Sequence, residues 1–209
     1  MERLLAERGI LALYHFTQAE NLESIFAHGL LPRGLLERQG IPAHFNDGLR
    51  LDDCRGAVCV SIGFPNYRMF YRFRQKDTAV QWAVLRLRVQ VLLDCPCIYC
   101  WTNAGNAQVY NTPPARRAGG RAFLKMFAER EGGPTREEMQ LPCYYPTDPQ
   151  AEVLVFGRIL PGYIVQVDFE DLAAYSRYRG KIPARCAVNA QLFRPRRDWP
   201  YWKSEAREE

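Results

Sequence analysis

Runs of alternating apolar residues in this 209-residue chain are short and fall at long, uneven intervals. Residues 12–16, 58–62, 80–89, 153–159, 164–169 and 187–193 read as strands. Helical spacing appears at Leu22, Ile25 and Phe26, at Ala122, Phe123, Met126 and Phe127, and at Leu172, Ala173 and Tyr175. No regular strand–helix–strand alternation links these runs. That argues against a doubly wound parallel sheet and predicts an α+β fold with mainly antiparallel sheets and inserted helices. Neither a repeat nor a Ser/Gly/Pro-rich linker divides the chain, so residues 1–209 are expected to form a single domain.

Local signals refine this outline. Thr17 and Glu20 have capping-box spacing, which predicts a helix starting at Gln18 and ending at Gly29. Residues 32–53, 103–120 and 132–149 lack periodicity and are expected to be loops. In the 80–89 run the apolar phase shifts after Val84, which predicts a bulge. Pro161-Gly162 turns the 153–159 strand, and 164–169 is expected to pair as the next strand, with a helix opening at Asp168 or Phe169.

Hydrophobic residues make up 47% of the chain and charged residues 24%, an ordinary balance for a globular protein. No stretch of eighteen apolar residues occurs, and residues 1–8 alternate charged with apolar positions, so no membrane span or signal peptide is expected and the protein reads as cytoplasmic. Seven cysteines, an odd number, then read as reduced thiols. Cys95, Cys97 and Cys100 crowd into six residues with no second ligand pair elsewhere, so buried thiols are expected there, and no metal.

The formal charge of +5 is mild, and its distribution says more. Arg68, Arg72, Arg74 and Lys76 interleave with Met69, Phe70, Tyr71 and Phe73. Arg116, Arg117 and Arg121 lie in a Gly/Pro-rich stretch, and Arg194, Arg196 and Arg197 precede Trp199, Tyr201 and Trp202. Cations beside aromatic rings suit single-stranded nucleic acid, where phosphates and base faces are both exposed. A solvated basic face with core aromatics would give the same pattern.

Three residues stand out chemically. Glu152 sits between Ala151 and the apolar run Val153-Leu154-Val155-Phe156. There a carboxylate is costly unless it is paired, used, or turned to solvent by strand alternation. A desolvated Glu can act as a general base. His15, in Tyr14-His15-Phe16-Thr17, stands at a strand end, where it could donate to a sugar hydroxyl or to a backbone carbonyl. Arg50, in the 32–53 stretch, has the planar fork that suits a pyrophosphate. No GxGxxG or Walker sequence is present. His28 fits a helix C-terminus, and His44 is undecided.

Taken together, these segments resemble the DarT family of DNA ADP-ribosyltransferase toxins. The resemblance rests on Leu13-Tyr14-His15-Phe16-Thr17 followed by Asn21-Leu22, Ile25 and His28-Gly29-Leu30-Leu31. It continues through Arg50 and Ser61-Ile62-Gly63-Phe64-Pro65-Asn66-Tyr67-Arg68-Met69-Phe70. It closes with Gln150-Ala151-Glu152-Val153-Leu154-Val155 and Arg197-Asp198-Trp199, all in family order.

The resemblance implies an ADP-ribosyltransferase fold of two packed, mainly antiparallel sheets around an NAD cleft. It implies that NAD donates ADP-ribose to a base of single-stranded DNA, with no metal required, often within a toxin–antitoxin or anti-phage system that supplies a cognate antitoxin. Glu152 and Arg50 would be catalytic, with Arg50 also on the NAD phosphates. His15 would bind the nicotinamide-side ribose and Thr17 would support it. Phe16, Asn21, Leu30, Phe64, Met69 and Tyr71 would complete the NAD site. Arg72, Arg74, Arg116, Arg117, Arg121, Tyr144 and Tyr145 would meet the nucleic acid, the loop before Glu152 holding the target base. The turn Phe64-Pro65-Asn66-Tyr67 and residues 97–106 look closer to a guanine-targeting branch than to thymine-modifying members. RNA or protein acceptors, or an inactive NAD- or nucleic-acid-binding module, are the alternatives.

Overall fold

The computed structural model describes residues 1–45 and 55–203. Arg50 therefore lies outside the described residues. Seven strands run β1 Leu13–Gln18, β2 Ala57–Ile62, β3 Trp82–Leu87, β4 Cys97–Cys100, β5 Glu152–Phe156, β6 Ile164–Phe169 and β7 Cys186–Val188. The helices are α1 Glu2–Glu7, α2 Leu22–His28, α3 Arg33–Gln39, α4 Tyr67–Lys76, α5 Val91–Asp94, α6 Ala107–Tyr110, α7 Gly119–Lys125 and α8 Leu172–Tyr178.

The strands lie in the order β4-β5-β2-β1-β3-β6-β7, antiparallel except for β6 and β7. The two sheets expected from the sequence are thus halves of one. β1 pairs with β3 along all its length, but meets β2 only at Leu13↔Ile62 and Tyr14↔Ser61. Beyond Tyr14 the halves part: His15 to Gln18 pair with β3 alone, and Ala57 to Val60 pair with β5 alone. A cleft opens at this division.

Tertiary contacts overrode several local signals. No helix starts at Gln18, because β1 continues through it to pair with Trp82. A 3-10 turn, Ala19–Asn21, follows, and Thr17 Oγ1 accepts from Asn21 Nδ2 at 3.0 Å instead of capping a helix. Residues 33–39, expected as loop, form α3. The 103–120 stretch holds α6, capped by the Asn106 side chain on Gln108 N–H, and a 3-10 turn at Pro114–Arg117. The phase shift in β3 reflects burial of both faces, since Val84 and Leu85 are equally buried; the register irregularity against β6 falls later, between Arg86 and Leu87.

One segment is newly assigned and two other expectations are corrected. The basic–aromatic interleaving of residues 67–76 is a helix, α4, started by Asn66, whose side chain accepts from Met69 N–H at 3.1 Å. Its Phe70 stacks on Phe16 of β1 at 4.6 Å and packs edge-on against Trp82 of β3 at 5.4 Å. Each such pair contributes about 0.5–1.5 kcal/mol beyond area burial, so α4 is anchored to the β1–β3 half. The last helix, α8, begins at Leu172 with Asp171 as its cap, while Asp168 stays inside β6. Finally, β6 pairs with β3 and β7, not with β5.

The path out of β5 explains this last difference. Gly157, at φ +86°, ends β5, and Leu30 and Ile159 then exchange backbone hydrogen bonds of 2.9 and 3.0 Å. This bridge leads the chain past the end of α2 and across to the other half of the sheet. Gly29 makes it possible: its φ is +84°, and a Cβ there would sit 2.6 Å from the Ile159 carbonyl oxygen. Gly29→Ala should therefore destabilise the fold by about 1–3 kcal/mol, read as a lower urea midpoint with an unchanged slope.

Candidate active site

The cleft between the sheet halves has a volume of about 600 Å³, within the range of small-molecule sites. His15, Phe16 and Thr17 from β1 and Cys59 and Ser61 from β2 contribute to its lining, and Glu152 stands at the head of β5. Met69, Arg72, Phe73 and Lys76 of α4 all border it. Their i, i+3, i+4, i+7 spacing puts one stripe of that helix on the cleft, with apolar and cationic groups together. Leu30 lies at the end of α2, and residues 102–106 form the rim beside Glu152.

His15 bridges the division. Its Nδ1 is 2.8 Å from the Cys59 carbonyl oxygen. A carbonyl only accepts, so Nδ1 carries a proton and donates it. Of the two roles open to His15 in the sequence, donation to a backbone carbonyl is the one observed.

Asn21 organises the neighbouring wall. Its amide donates to Thr17 Oγ1 and to the His44 carbonyl at 2.9 Å, and accepts from His44 N–H at 2.8 Å. One side chain thus ties β1 to the segment before the undescribed residues. His44 has a carboxylate neighbour, with Nε2 3.3 Å from Glu20.

Glu152 is only 5% exposed, so strand alternation does not turn it to solvent. Its Oε1 accepts from Ala104 N–H at 2.8 Å, which orients the carboxylate against the 102–106 rim. Asp148, four residues earlier, stiffens the approach. Its Oδ1 accepts from Gln150 N–H at 2.7 Å and its carbonyl from Ala151 N–H at 3.1 Å. Desolvation pushes the Asp148 carboxyl up, opposed by bonds from Gln150 N–H and the Thr102 hydroxyl and by the charges of Arg130 and Arg68.

The structure brings together His15, Phe16, Thr17, Asn21, Leu30, Met69, Arg72 and Glu152. It places others of the sequence-derived residues elsewhere. Tyr71, 55% exposed, is on the outer face of α4. Phe64 packs edge-on against Tyr145 at 5.9 Å, outside the cleft lining. Arg74 is engaged by Glu170 and by the Phe193 carbonyl at 2.7 Å. Arg117 is 5% exposed and reaches Cys100 Sγ at 3.7 Å, so its guanidinium faces the interior and not a polymer. Arg116 and Arg121 are exposed. Arg121 shares a face of α7 with Lys125, whose Nζ lies 3.1 Å from the ring centroid of Trp101. That basic–aromatic strip leads into the rim.

Tyr144 and Tyr145 contact each other edge-on at 4.8 Å beside the β2–α4 turn. Gly63, at φ +74°, lets them approach, because a Cβ there would meet Tyr144 O and Tyr145 Cδ1 at 2.8 Å. Arg33, Asn66, Phe73, Lys76 and Gln150 also line the cleft and were not singled out from sequence as site residues. The helical stripe through Met69 could have revealed Phe73 and Lys76. The rim falls within residues 97–106, which drew attention only through the family resemblance. The Cys97 thiol, pushed up to about 12 by burial, donates to the Cys95 carbonyl. Among the described residues no group of His, Cys, Asp and Glu is arranged to hold a metal, and no helix is long and apolar enough to cross a membrane.

Comparison with solved structures gives the same architecture at low identity. Thermosipho africanus DarTG in complex with ADP-ribose aligns with a TM-score of 0.58 and 16% identity, over 88% of this chain and 51% of that one. The chain thus spans about half the length of that relative. Thermus sp. 2.9 DarT in complex with carba-NAD+ aligns with a TM-score of 0.58 and 13% identity, covering 88% of this chain and 98% of the other. The same protein in complex with ADP-ribosylated ssDNA gives 0.53 and 12%, covering 89% and 97%. No curated protein matches this chain in sequence. A family model described as ssDNA thymidine ADP-ribosyltransferase, DarT, matches residues 14–201. With that match extending over most of its length, the chain belongs to the DarT family of ADP-ribosyltransferases.

Proposed function

We propose that this chain takes ADP-ribose from NAD and transfers it to a base of single-stranded DNA, with Glu152 as the catalytic carboxylate. The observation that carries this reading is a buried Glu152, held by Ala104 N–H, in the same cleft as His15, Thr17 and Asn21. The cleft suits a dinucleotide. It offers polar groups for ribose on β1, apolar surface at Phe16, Leu30 and Met69 for a ring, and the cations Arg72 and Lys76 for phosphates. Structures of Thermus DarT with NAD+ and with ADP-ribosylated ssDNA support both partners by analogy of fold.

NAD supplies an ADP-ribosyl group with nicotinamide as leaving group. The protein's part is to orient the ribose, stabilise developing charge and manage one proton. His15, held through Nδ1 by the Cys59 carbonyl, meets a ribose hydroxyl through Nε2. Glu152 holds the 2′-hydroxyl, or takes the proton that the base nitrogen loses as it bonds to the anomeric carbon. Arg50 is assigned to the phosphates and to catalysis by the family motif alone. An unpaired base reaches Glu152 without the cost of opening a duplex. A cognate antitoxin belongs to the same reading, on the strength of the sequence resemblance.

Labelled NAD incubated with single-stranded DNA, RNA or protein tests the acceptor class; label on DNA supports the reading, and label on RNA or protein alone replaces it. Glu152→Gln should lower transfer about 10²–10⁴-fold, and near-normal turnover would remove Glu152 from the catalytic role. For the base itself we favour guanine, from the Phe64–Tyr67 turn and residues 97–106, whereas the family description names thymidine. Mass spectrometry of oligonucleotides carrying a single guanine or a single thymine decides between them.

Asn21→Ala and His15→Ala should each weaken NAD binding about tenfold, the equivalent of one net hydrogen bond. Arg50→Ala should weaken binding and lower the rate together. Unchanged NAD titrations in all three variants would place the donor elsewhere.

The strip of Arg116, Arg121 and Lys125 beside Trp101 gives the polymer a path to the rim. Alanine at Arg116 and Arg121 should raise the oligonucleotide KM and flatten its salt dependence, reducing the logarithmic slope by roughly 1–2. NAD binding should not change. A double variant with the parent's salt slope would move the DNA path off α7.

A further inference from the structure

The tail that follows β7 makes a densely bonded buried ion pair, and none of the tail lines the cleft. Arg196 donates through Nε to Asp198 Oδ1 at 2.9 Å and through one terminal nitrogen to Oδ2 at 2.6 Å. The same guanidinium reaches the carbonyls of Pro146 and Thr147 at 3.2 and 3.4 Å. Asp198 Oδ2 also accepts from the Trp202 indole at 2.8 Å. All three side chains are buried.

This cluster meets two walls of the site at once. The Arg196 guanidinium lies 5.2 Å from the ring centre of Tyr145, in the segment leading to Glu152, and 5.9 Å from that of Tyr67, the first residue of α4. Trp199 packs edge-on against Tyr67 at 5.9 Å. On the loop side the contacts converge on Thr147. Its carbonyl takes Arg196, its N–H donates to Met126 O at 2.9 Å, and its hydroxyl takes Arg136 and donates to Ala128 O. From Thr147 the chain passes through the Asp148 turn into Gln150 and Glu152.

We propose that the Arg196–Asp198 pair is the positioning element for the transfer step: it sets the 142–150 segment, and with it Glu152, relative to α4. This rests on the transfer reading given above. Stability alone does not call for such a pair, since replacing a buried ion pair by apolar residues of similar volume is often neutral or stabilising. A side chain that fixes two backbone carbonyls and two facing aromatics instead controls geometry, where a displacement of about 1 Å costs about 100-fold in rate.

The test removes both charges together, in Arg196→Met/Asp198→Leu, beside Arg196→Lys and the parent. Each is assayed for thermal midpoint, NAD KM, kcat for labelling a single-stranded oligonucleotide, and nicotinamide release without labelling. The expected result for the double variant is a midpoint close to the parent's and an NAD KM within about threefold. Its kcat for labelling falls about 10–100-fold, with a larger share of nicotinamide released to water. Arg196→Lys, which keeps a cation but not the fork, should recover part of the lost kcat. A double variant with parental kcat, or one whose kcat falls only with its folded fraction, overturns the inference while leaving the transfer reading intact. If the double variant does not fold, the Arg196→Lys protein decides by the same ratio of labelling to nicotinamide release, an unchanged ratio counting against the inference. A parent chain that labels no DNA overturns both.

Discussion

β1 and β2 are bonded to each other at only two positions, and the cleft exists because they then part. A sheet that divides must satisfy the backbone groups it exposes, since a buried unpaired carbonyl costs about 1–3 kcal/mol. His15 answers part of that demand by donating from its side chain to Cys59 O across the gap. The same bond fixes the ring and its tautomer, so the residue that closes the gap also sets the polar character of the cleft floor. Phe16, next in sequence, stacks on Phe70 and carries α4 into place. Alternation along one strand thus supplies both the floor and the anchor of one wall.

The opposite wall is built from polar bonds to irregular backbone. Glu152 is the first residue of β5, where its carboxylate accepts from Ala104 N–H. The segment before it has little regular structure, and its shape comes from Arg196, Arg136 and Asp148 bonding to carbonyls and amides of residues 142–151. Arginine suits this task because a planar fork bonds several carbonyls at fixed angles. A low-dielectric interior strengthens such bonds and makes each one costly to lose. The shape of this wall therefore depends on side chains that do not themselves line the cleft.

Much of the fold was legible in the sequence. The strand runs at 12–16, 58–62, 153–159 and 164–169 appear where alternation placed them, within a few residues. His15 and Glu152 were prominent because each interrupts an apolar pattern at an element's end, whereas Thr17 and Asn21 entered the site only through the family resemblance. The signals that misled were local ones with two meanings. Thr17 and Glu20 have cap spacing, yet pairing with β3 kept the strand going to Gln18. Arginines among aromatics between 68 and 76 left open a nucleic-acid surface or a solvated basic face with core aromatics, and the interleaving is a helix with one face on the core, one on the cleft and one in solvent. Arg117 is the sharpest case. Its neighbours Arg116 and Arg121 are exposed, but the 3-10 turn rotates it inward against Cys100.

By itself, the sequence determined which residues could carry charge or hydrogen bonds at the ends of apolar runs, because alternation and breakers act over a few residues. Only the tertiary structure decided how the sheet divides, that β6 crosses to β3 instead of returning beside β5, and which arginines face inward. Those outcomes depend on contacts between segments well separated along the chain, such as Arg196 with Pro146 and Thr147, 50 and 49 positions away, or Leu30 with Ile159. No window of local sequence holds both partners.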